Sequence, residues 1–443
     1  MNIQLSDHFT YKRLLRFTLP SIIMMIFTSI YNVVDGFFVS NYVGKTPFAS
    51  VNFIMPLLMM LGAVGFMFGT GGSALVSKTM GEGKEEEANR LFSLFIYISV
   101  ACGITLSVLG IIFIRPIAAL LGADDVMLDN CVLYGRIILL SLPCFILQLE
   151  FQSFFVTAEK PQLGLIVTLS CGVTNIILDA ILVAGFRLGL VGAAAATVTS
   201  ECMGGLIPLI YFLRPNTGRL RLTRTVFNGR AILKACVNGS SELMSNISMS
   251  LVNMLYNVQL MKYAGEDGVA AYGVLMYVTL VFASAFIGFS IGSAPIIGFH
   301  YGAGNSGELK NLLRKGLSLI LIFSLGMFTL AELLGMPLSL IFVGYDPDLY
   351  DLTRKGFMIY SFSFLFSGTA IFGSSFFTAL NNGPVSAAIS FLRTLVFQII
   401  AVLALPLILG IDGIWVSIVA AEFMAATVTV LFLIGKRRTY HYG

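Results

Sequence analysis

Two carboxylates set in apolar surroundings are the chemistry this sequence offers. Asp179 stands in GVTNIILDAILVAGF (172–186), four residues after Asn175. In a helix that spacing puts both side chains on one face. Asp35 stands in YNVVDGFF (31–38) and Thr197 in GAAAATVTSE (192–201). A carboxylate at mid-bilayer costs from roughly 3 kcal/mol upward. A chain keeps one there to bind something in a protein-lined cavity, or as a structural hydrogen bond between helices. Two carboxylates, an amide and a hydroxyl make an all-oxygen set that suits Na⁺, or a carboxyl pair that shares and releases protons. Nearby carboxylates in a low-dielectric pocket cannot both stay charged without a cation, and uptake of H⁺ or Na⁺ is the physical remedy.

The elements that must position these groups are membrane helices. Of 443 residues 57% are hydrophobic and 11% charged, where a soluble domain carries roughly 25% charge. The pattern predicts an all-α polytopic membrane protein of twelve transmembrane helices, over 14–41, 47–77, 91–114, 129–157, 162–185, 190–213, 231–261, 269–299, 311–334, 352–379, 385–409 and 412–435. With both termini and the even-numbered loops on one side, that side collects 19 Lys and Arg against 6 on the other, so both termini are expected in the cytoplasm. The Arg-rich stretch 214–230 reads as a linker against anionic lipid rather than a nucleic-acid patch. The six cysteines form no CxxC and read as small core residues. The amphipathic start of the chain, followed by an apolar run that holds Asp35, is not expected to act as a signal peptide.

A shift of 221 residues aligns the chain with itself. Asn32 meets Asn253, Tyr42 and Gly44 meet Tyr263 and Gly265, Gly71 meets Gly292, and Gly81 and Gly83 meet Gly302 and Gly304. Thr157-Ala158 meets Thr378-Ala379, Gly189 and Gly192 meet Gly410 and Gly413, and Glu201 meets Glu422. The expected architecture is therefore two six-helix bundles related by a pseudo-two-fold axis along the membrane normal: an N-lobe over 1–215, a linker over 216–230 and a C-lobe over 231–443. Two facing bundles suit alternating access. The acids are not repeated. Asp35 aligns with Tyr256, Asp179 with Ile400 and Asn175 with Val396, so the N-lobe alone carries the set. Helix rise places Asp35, Asp179 and Thr197 in one layer, roughly 10–12 Å below the outer surface.

Here the sequence resembles the multidrug and toxic compound extrusion (MATE) family. The resemblance rests on Asn175-x-x-x-Asp179 followed by Gly189-x-x-Gly192-Ala-Ala-x-Ala-Thr197. It also rests on Pro20-Ser21, Tyr31-Asn32-x-x-Asp35, Gly81-Glu-Gly83, Tyr134-x-Arg136-Ile137 and Ala158-x-x-Pro161, and it covers essentially the whole chain. It implies efflux of cationic, amphipathic drugs and dyes driven by inward H⁺ or Na⁺ flow. It implies a cation site of Asp35, Asn175, Asp179 and Thr197, a hinge at Pro20, and Tyr31 and Gln152 in the N-lobe cavity. Helix 10 (Tyr360 to Leu380) holds no acid and helix 7 only Glu242, which points to the DinF-like and MepA-like branch. No cofactor is implied beyond H⁺ or Na⁺. The expected setting is the cytoplasmic (inner) membrane, as a multi-pass monomer in the lipid bilayer.

Other polar residues carry weaker readings. Arg393 and Glu422 share a depth on neighbouring helices and suit a buried structural ion pair. Glu150, flanked by Gln148 and Gln152, reads as a cavity wall that a cationic substrate could touch. Glu201 reads as structural or functional. Arg136 either acts on the acidic layer or caps the outer end. Gly288-Phe-Ser290-Ile-Gly292 mimics the GxSxG hydrolase pattern without its strand–turn–helix context. The sequence holds no GxxxxGK[ST], HExxH or Cys/His cluster, so neither an ATP-driven engine, an enzyme nor a resident metal is expected. The nearest rival is a lipid-linked sugar flippase of the same superfamily, which calls for a more cationic cavity. A membrane-embedded enzyme is a distant third.

Overall fold

The computed structural model describes residues 3–121, 123, 125–216, 218–344 and 346–442. Its spans are α1 (Tyr11–Val43), α2 (Thr46–Gly81), α3 (Glu85–Leu120), α4 (Val126–Thr157), α5 (Pro161–Gly185) and α6 (Gly189–Leu213), then α7 (229–264), α8 (266–302), α9 (Ser306–Leu340), α10 (Pro347–Ala379), α11 (Gly383–Leu409) and α12 (Ile411–Lys436). No strand occurs among the described residues. The protein is a multi-pass, all-helical membrane protein.

The segment Gly229–Gly302 is two helices joined directly at a sharp kink, where Gly265 leaves the helical conformation (φ 62°, ψ −149°). Glycine tolerates that conformation and a side chain would not. Both ends of the segment pack on one end of α2: Ala235 and Gly239 touch Gly71, and Phe299 touches Gly81. The chain therefore doubles back at Gly265, and the segment supplies two spans. Several helices also overrun the bilayer by a turn or more beyond their expected limits. α3 begins at Glu85 and α9 at Ser306, each after a left-handed glycine, Gly83 or Gly304.

The 221-residue register reappears in three dimensions. The glycines with positive φ are Gly44, Gly83 and Gly189, then Gly265, Gly304 and Gly410. Each member of the second trio lies 221 residues after its mate in the first. The seam between the halves repeats the relation. A Cβ on Gly81 would sit 2.0 Å from the Phe299 carbonyl oxygen, and one on Gly302 would sit 2.0 Å from that of Lys78. Gly71 approaches Gly239 as Gly292 approaches Thr18. These are pairs of equivalent contacts, as a two-fold interface requires. Ser77 and Gly298, themselves equivalent, meet each other, as residues on the axis must.

An even number of spans puts both chain ends on one face, the terminal face. The seam occupies the half nearer that face and reaches mid-membrane, where Gly288 lies on Ser21 and Ile22 and the hydroxyls of Ser29 and Ser284 are hydrogen-bonded. Beyond it, the far thirds of α1 and α7 carry exposed residues such as Asn32, Phe37, Met254 and Asn257. The close backbone contacts between the lobes lie in the terminal half.

Loops lace the terminal face. The described residues of the stretch between α6 and α7, 214–216 and 218–228, are non-helical, and part of the stretch lies along α3. Arg221 N–H donates to Asn89 Oδ1 (2.7 Å) and Thr223 N–H to Ser93 Oγ (2.8 Å). Arg219 pairs with Glu85 (2.7 Å) and Glu159 (3.1 Å) and covers the Phe299 ring of the second half. The N-terminal segment crosses between the halves. Leu5 N–H donates to Glu159 and Phe9 N–H to Glu308.

The seam has no room for a side chain at Gly81, because its neighbour is backbone. Gly81→Val is expected to cost about 1–3 kcal/mol by overpacking and to lower the melting temperature of the purified protein. Gly435→Ala, with no atom within 4 Å of the added carbon, is expected to leave it unchanged. A fluorescence-detected thermal shift measures both.

Candidate functional site: an acidic pair inside the first six helices

Gly172 on α5 sets the site. It has no side chain, so the rings of Phe27 and Tyr31 on α1 close over it, 2.4 Å and 2.8 Å from where a Cβ would be. One turn beyond Tyr31, Asp35 then faces Asp179, and their carboxyl groups come within hydrogen-bonding reach. Asp179 is fully buried and Asn175 nearly so, while Asp35 is half-buried. Neither oxygen of Asp179 has a donor among the described residues, nor do Asp35 Oδ1 and Asn175 Oδ1. Two carboxylates cannot donate to each other. A proton shared between them, or a cation bound by both, would join them, and the orphaned oxygens fit either.

The backbone is unusual at the same two residues. α5 changes from α- to π-helical turns at Asp179 (Asp179–Gly185), and α1 does so at Val39–Val43, one turn after Asp35. Such turns frequently mark functional positions. Gly192 on α6 packs on the Leu182 carbonyl and so ties α6 to the irregular end of α5. Thr197, half-buried on α6, donates to the Ala193 carbonyl (3.1 Å), which leaves its oxygen free to accept. The fully buried Tyr134 of α4 lies beside Thr197. The structure thus brings Asp35, Asn175, Asp179 and Thr197 to one chamber walled by α1, α4, α5 and α6. Among the described residues no trio of His, Cys, Asp or Glu suits a metal ion.

The remaining residues divide. Tyr31 and Gln152 belong to this chamber. Tyr31 reaches Gln148, and Gln148 and Gln152 line a narrow crevice with Thr168, Cys171, Gly204 and Pro208. Glu150 does not face the crevice. It points to the opposite side of α4, toward Ser99, with α2 packed on its backbone at Gly69. It is fully buried and neither oxygen has a partner among the described residues. Pro20 is buried within α1, where it withholds one N–H from the helical ladder. Arg136 is exposed, on the same side of α4 as the exposed Leu133 and Leu140 and away from Tyr134. It does not reach the acidic pair, and Asp129 pairs instead with Arg115 (3.2 Å).

In the second half, Arg393 Nε donates to both oxygens of Glu422, at 2.8 and 3.1 Å. Arg393 sits on a π-helical turn, Leu392–Val396. The acidic pair has no counterpart there. Tyr256 instead donates to Gln398 Oε1 (2.7 Å).

A family model, MatE, matches residues 20–181 and again 243–404. The chain belongs to the MatE family. The two matches fall one in each lobe. Among curated proteins it is similar to the multidrug export protein MepA of Staphylococcus haemolyticus, 26% identical over 430 residues that span 96% of this chain and 94% of that one. Among solved structures it is similar to an outward-facing multidrug resistance transporter (TM-score 0.93, 21% identity, 100% and 99% of the two chains). It is also similar to a transporter from Pyrococcus furiosus described as having a binding pocket of reverse polarity (TM-score 0.91, 21% identity, 98% and 97%). That contrast means the fold does not fix the polarity of the pocket, so what this MatE protein carries must be read from its own side chains.

Sequence reasoning overlooked Tyr134 as a neighbour of the acidic layer, although it stands in the Tyr134-x-Arg136 motif. The π-helical turns at Asp179 and Arg393 left no sequence signal. The ion pair Arg393–Glu422 gives a test of the second half. Removing one partner leaves a largely buried charge, so Arg393→Met and Glu422→Gln are each expected to destabilise by about 3 kcal/mol. The double variant is expected to recover most of the loss in a thermal double-mutant cycle.

Proposed function

We propose that this protein is a cation-coupled exporter of amphipathic organic cations working by alternating access. The observation that carries the reading is the facing carboxyl pair Asp35–Asp179, set among membrane helices with neither Asp179 oxygen nor Asp35 Oδ1 meeting a donor among the described residues. The printed name of the staphylococcal relatives, multidrug export protein, supports the same substrate class for this chain. The Lys and Arg on the terminal face support placing that face, with both chain ends, in the cytoplasm of a cytoplasmic-membrane protein. No second chain is needed to complete the chamber, in keeping with a monomer.

The coupling ion is H⁺ or Na⁺, taken from outside. Charged and empty, Asp35 and Asp179 repel each other in a low-dielectric setting. An entering ion neutralises the pair, draws α1 onto α5 and removes the attraction for a bound organic cation, which leaves outward. Asn175 and Thr197 offer further oxygens, and Tyr31 and Gln152 line the space the substrate vacates. Pro20, which withholds one N–H from the α1 ladder, gives α1 its freedom to bend. Return to the inward-open state releases the ion to the cytoplasm.

Ethidium uptake into everted vesicles under an imposed pH gradient, acid inside, then a Na⁺ gradient, high inside, tests this. One gradient is expected to drive transport, and Asp35→Asn and Asp179→Asn are each expected to lower the driven rate at least tenfold. Full gradient-driven transport by both variants would refute the proposal.

A further inference from the structure

Glu201 and Glu422 are the same residue in the two repeats, 221 apart, but only one is neutralised. Glu422 is held by Arg393 Nε at 2.8 Å. The position equivalent to Arg393 in the first half is Gly172. The guanidinium is gone, and the space over Gly172 is filled by the rings of Phe27 and Tyr31. Glu201 keeps one hydrogen bond, from the Ser141 hydroxyl to Oε2 (2.5 Å), and no cationic side chain lies within ion-pair distance of it among the described residues. The titratable groups around it are Tyr31 and Asp35 on α1, Tyr134 and Cys144 on α4, and Cys202 beside it on α6. None of them is a cation.

Glu201 also stands one helical turn from a narrow polar crevice. One turn on, along the same face of α6, Gly204 admits the side chain of Gln148. Gln148, 7% exposed, and Gln152, 4% exposed, each hold an Oε1 with no donor among the described residues. Both line this crevice with Thr168 and the rings of Phe151 and Phe155. The set is one carboxylate, two unmatched acceptors and aromatic walls, which is the chemistry that recognises an ammonium or amidinium group on an aromatic body.

We infer that Glu201 is a specificity-determining residue for the transported molecule, and that the positively charged group of an organic cation pairs with it as Arg393 pairs with Glu422. This rests on the exporter reading above and adds to it. The coupling ion uses Asp35 and Asp179, while the substrate's charge is read deeper in the same lobe. The first repeat kept the acid and gave up its arginine, so the substrate supplies the missing charge from solution.

Ethidium binding to the purified protein in detergent, followed by fluorescence polarisation, tests this. Glu201→Gln keeps the shape and the Ser141 contact and is expected to weaken ethidium at least tenfold. Glu201→Asp keeps the charge and is expected to stay within about threefold of wild type. In the wild-type protein, ethidium is expected to protect Glu201, but not Glu150, from modification by dicyclohexylcarbodiimide, read by mass spectrometry. That arm needs no variant to fold. Wild-type affinity in Glu201→Gln, or carbodiimide labelling of Glu201 that ethidium leaves unchanged, overturns the inference and leaves the exporter reading intact. A wild-type protein that binds no ethidium and is driven by neither gradient overturns both.

Discussion

The structure depends on the cost of holding two carboxyl groups together away from water. Asp179 is fully buried and Asp35 faces it, with no donor for either Asp179 oxygen among the described residues. A single unpaired charge in such a place is costly, and two like charges more so. The pair is therefore stable only with a bound cation or shared proton, or in a conformation that admits water. That dependence links occupancy to shape. The surrounding features follow from it: Gly172 lets α1 approach, the π-helical turn at Asp179 reshapes α5 at the site, and Gly192 brings α6 against the same turn.

The two-fold seam supplies the other half of the account. Backbone packs directly on backbone at Gly81–Phe299 and Gly302–Lys78, so the lobes meet along one rigid line near the terminal face. Chemistry, by contrast, broke the symmetry. The second lobe carries Tyr256–Gln398 and Arg393–Glu422, closed internal pairs, where the first carries orphaned acids. One lobe reads as support and the other as the working site.

Much of this was legible in the sequence because membrane burial makes polar residues conspicuous. Asp35, Asn175, Asp179 and Thr197 stand out from apolar runs, and their helix positions fix a common depth. The glycine register located the repeat, and the same glycines hold the positive-φ turns. What could not be read is lateral direction. Glu150 is two residues from both Gln148 and Gln152, and that spacing turns it to the other side of α4. Arg136 shares the depth of the acidic layer but points outward, because a span's depth says nothing about which neighbour it faces. The π-helical turns escaped for another reason: the local sequence is ordinary apolar helix.

The most direct measurement is ion movement caused by the substrate. Purified protein would be reconstituted into liposomes holding a pH-sensitive dye, with matched samples for a Na⁺-sensitive dye, and an ethidium gradient imposed with no ion gradient present. The account expects ethidium to drive H⁺ or Na⁺ the opposite way in the wild type, and no such flux in the Asp35→Asn, Asp179→Asn double variant. Ethidium crossing with neither ion moving, or an equal ion flux without the two acids, would contradict it.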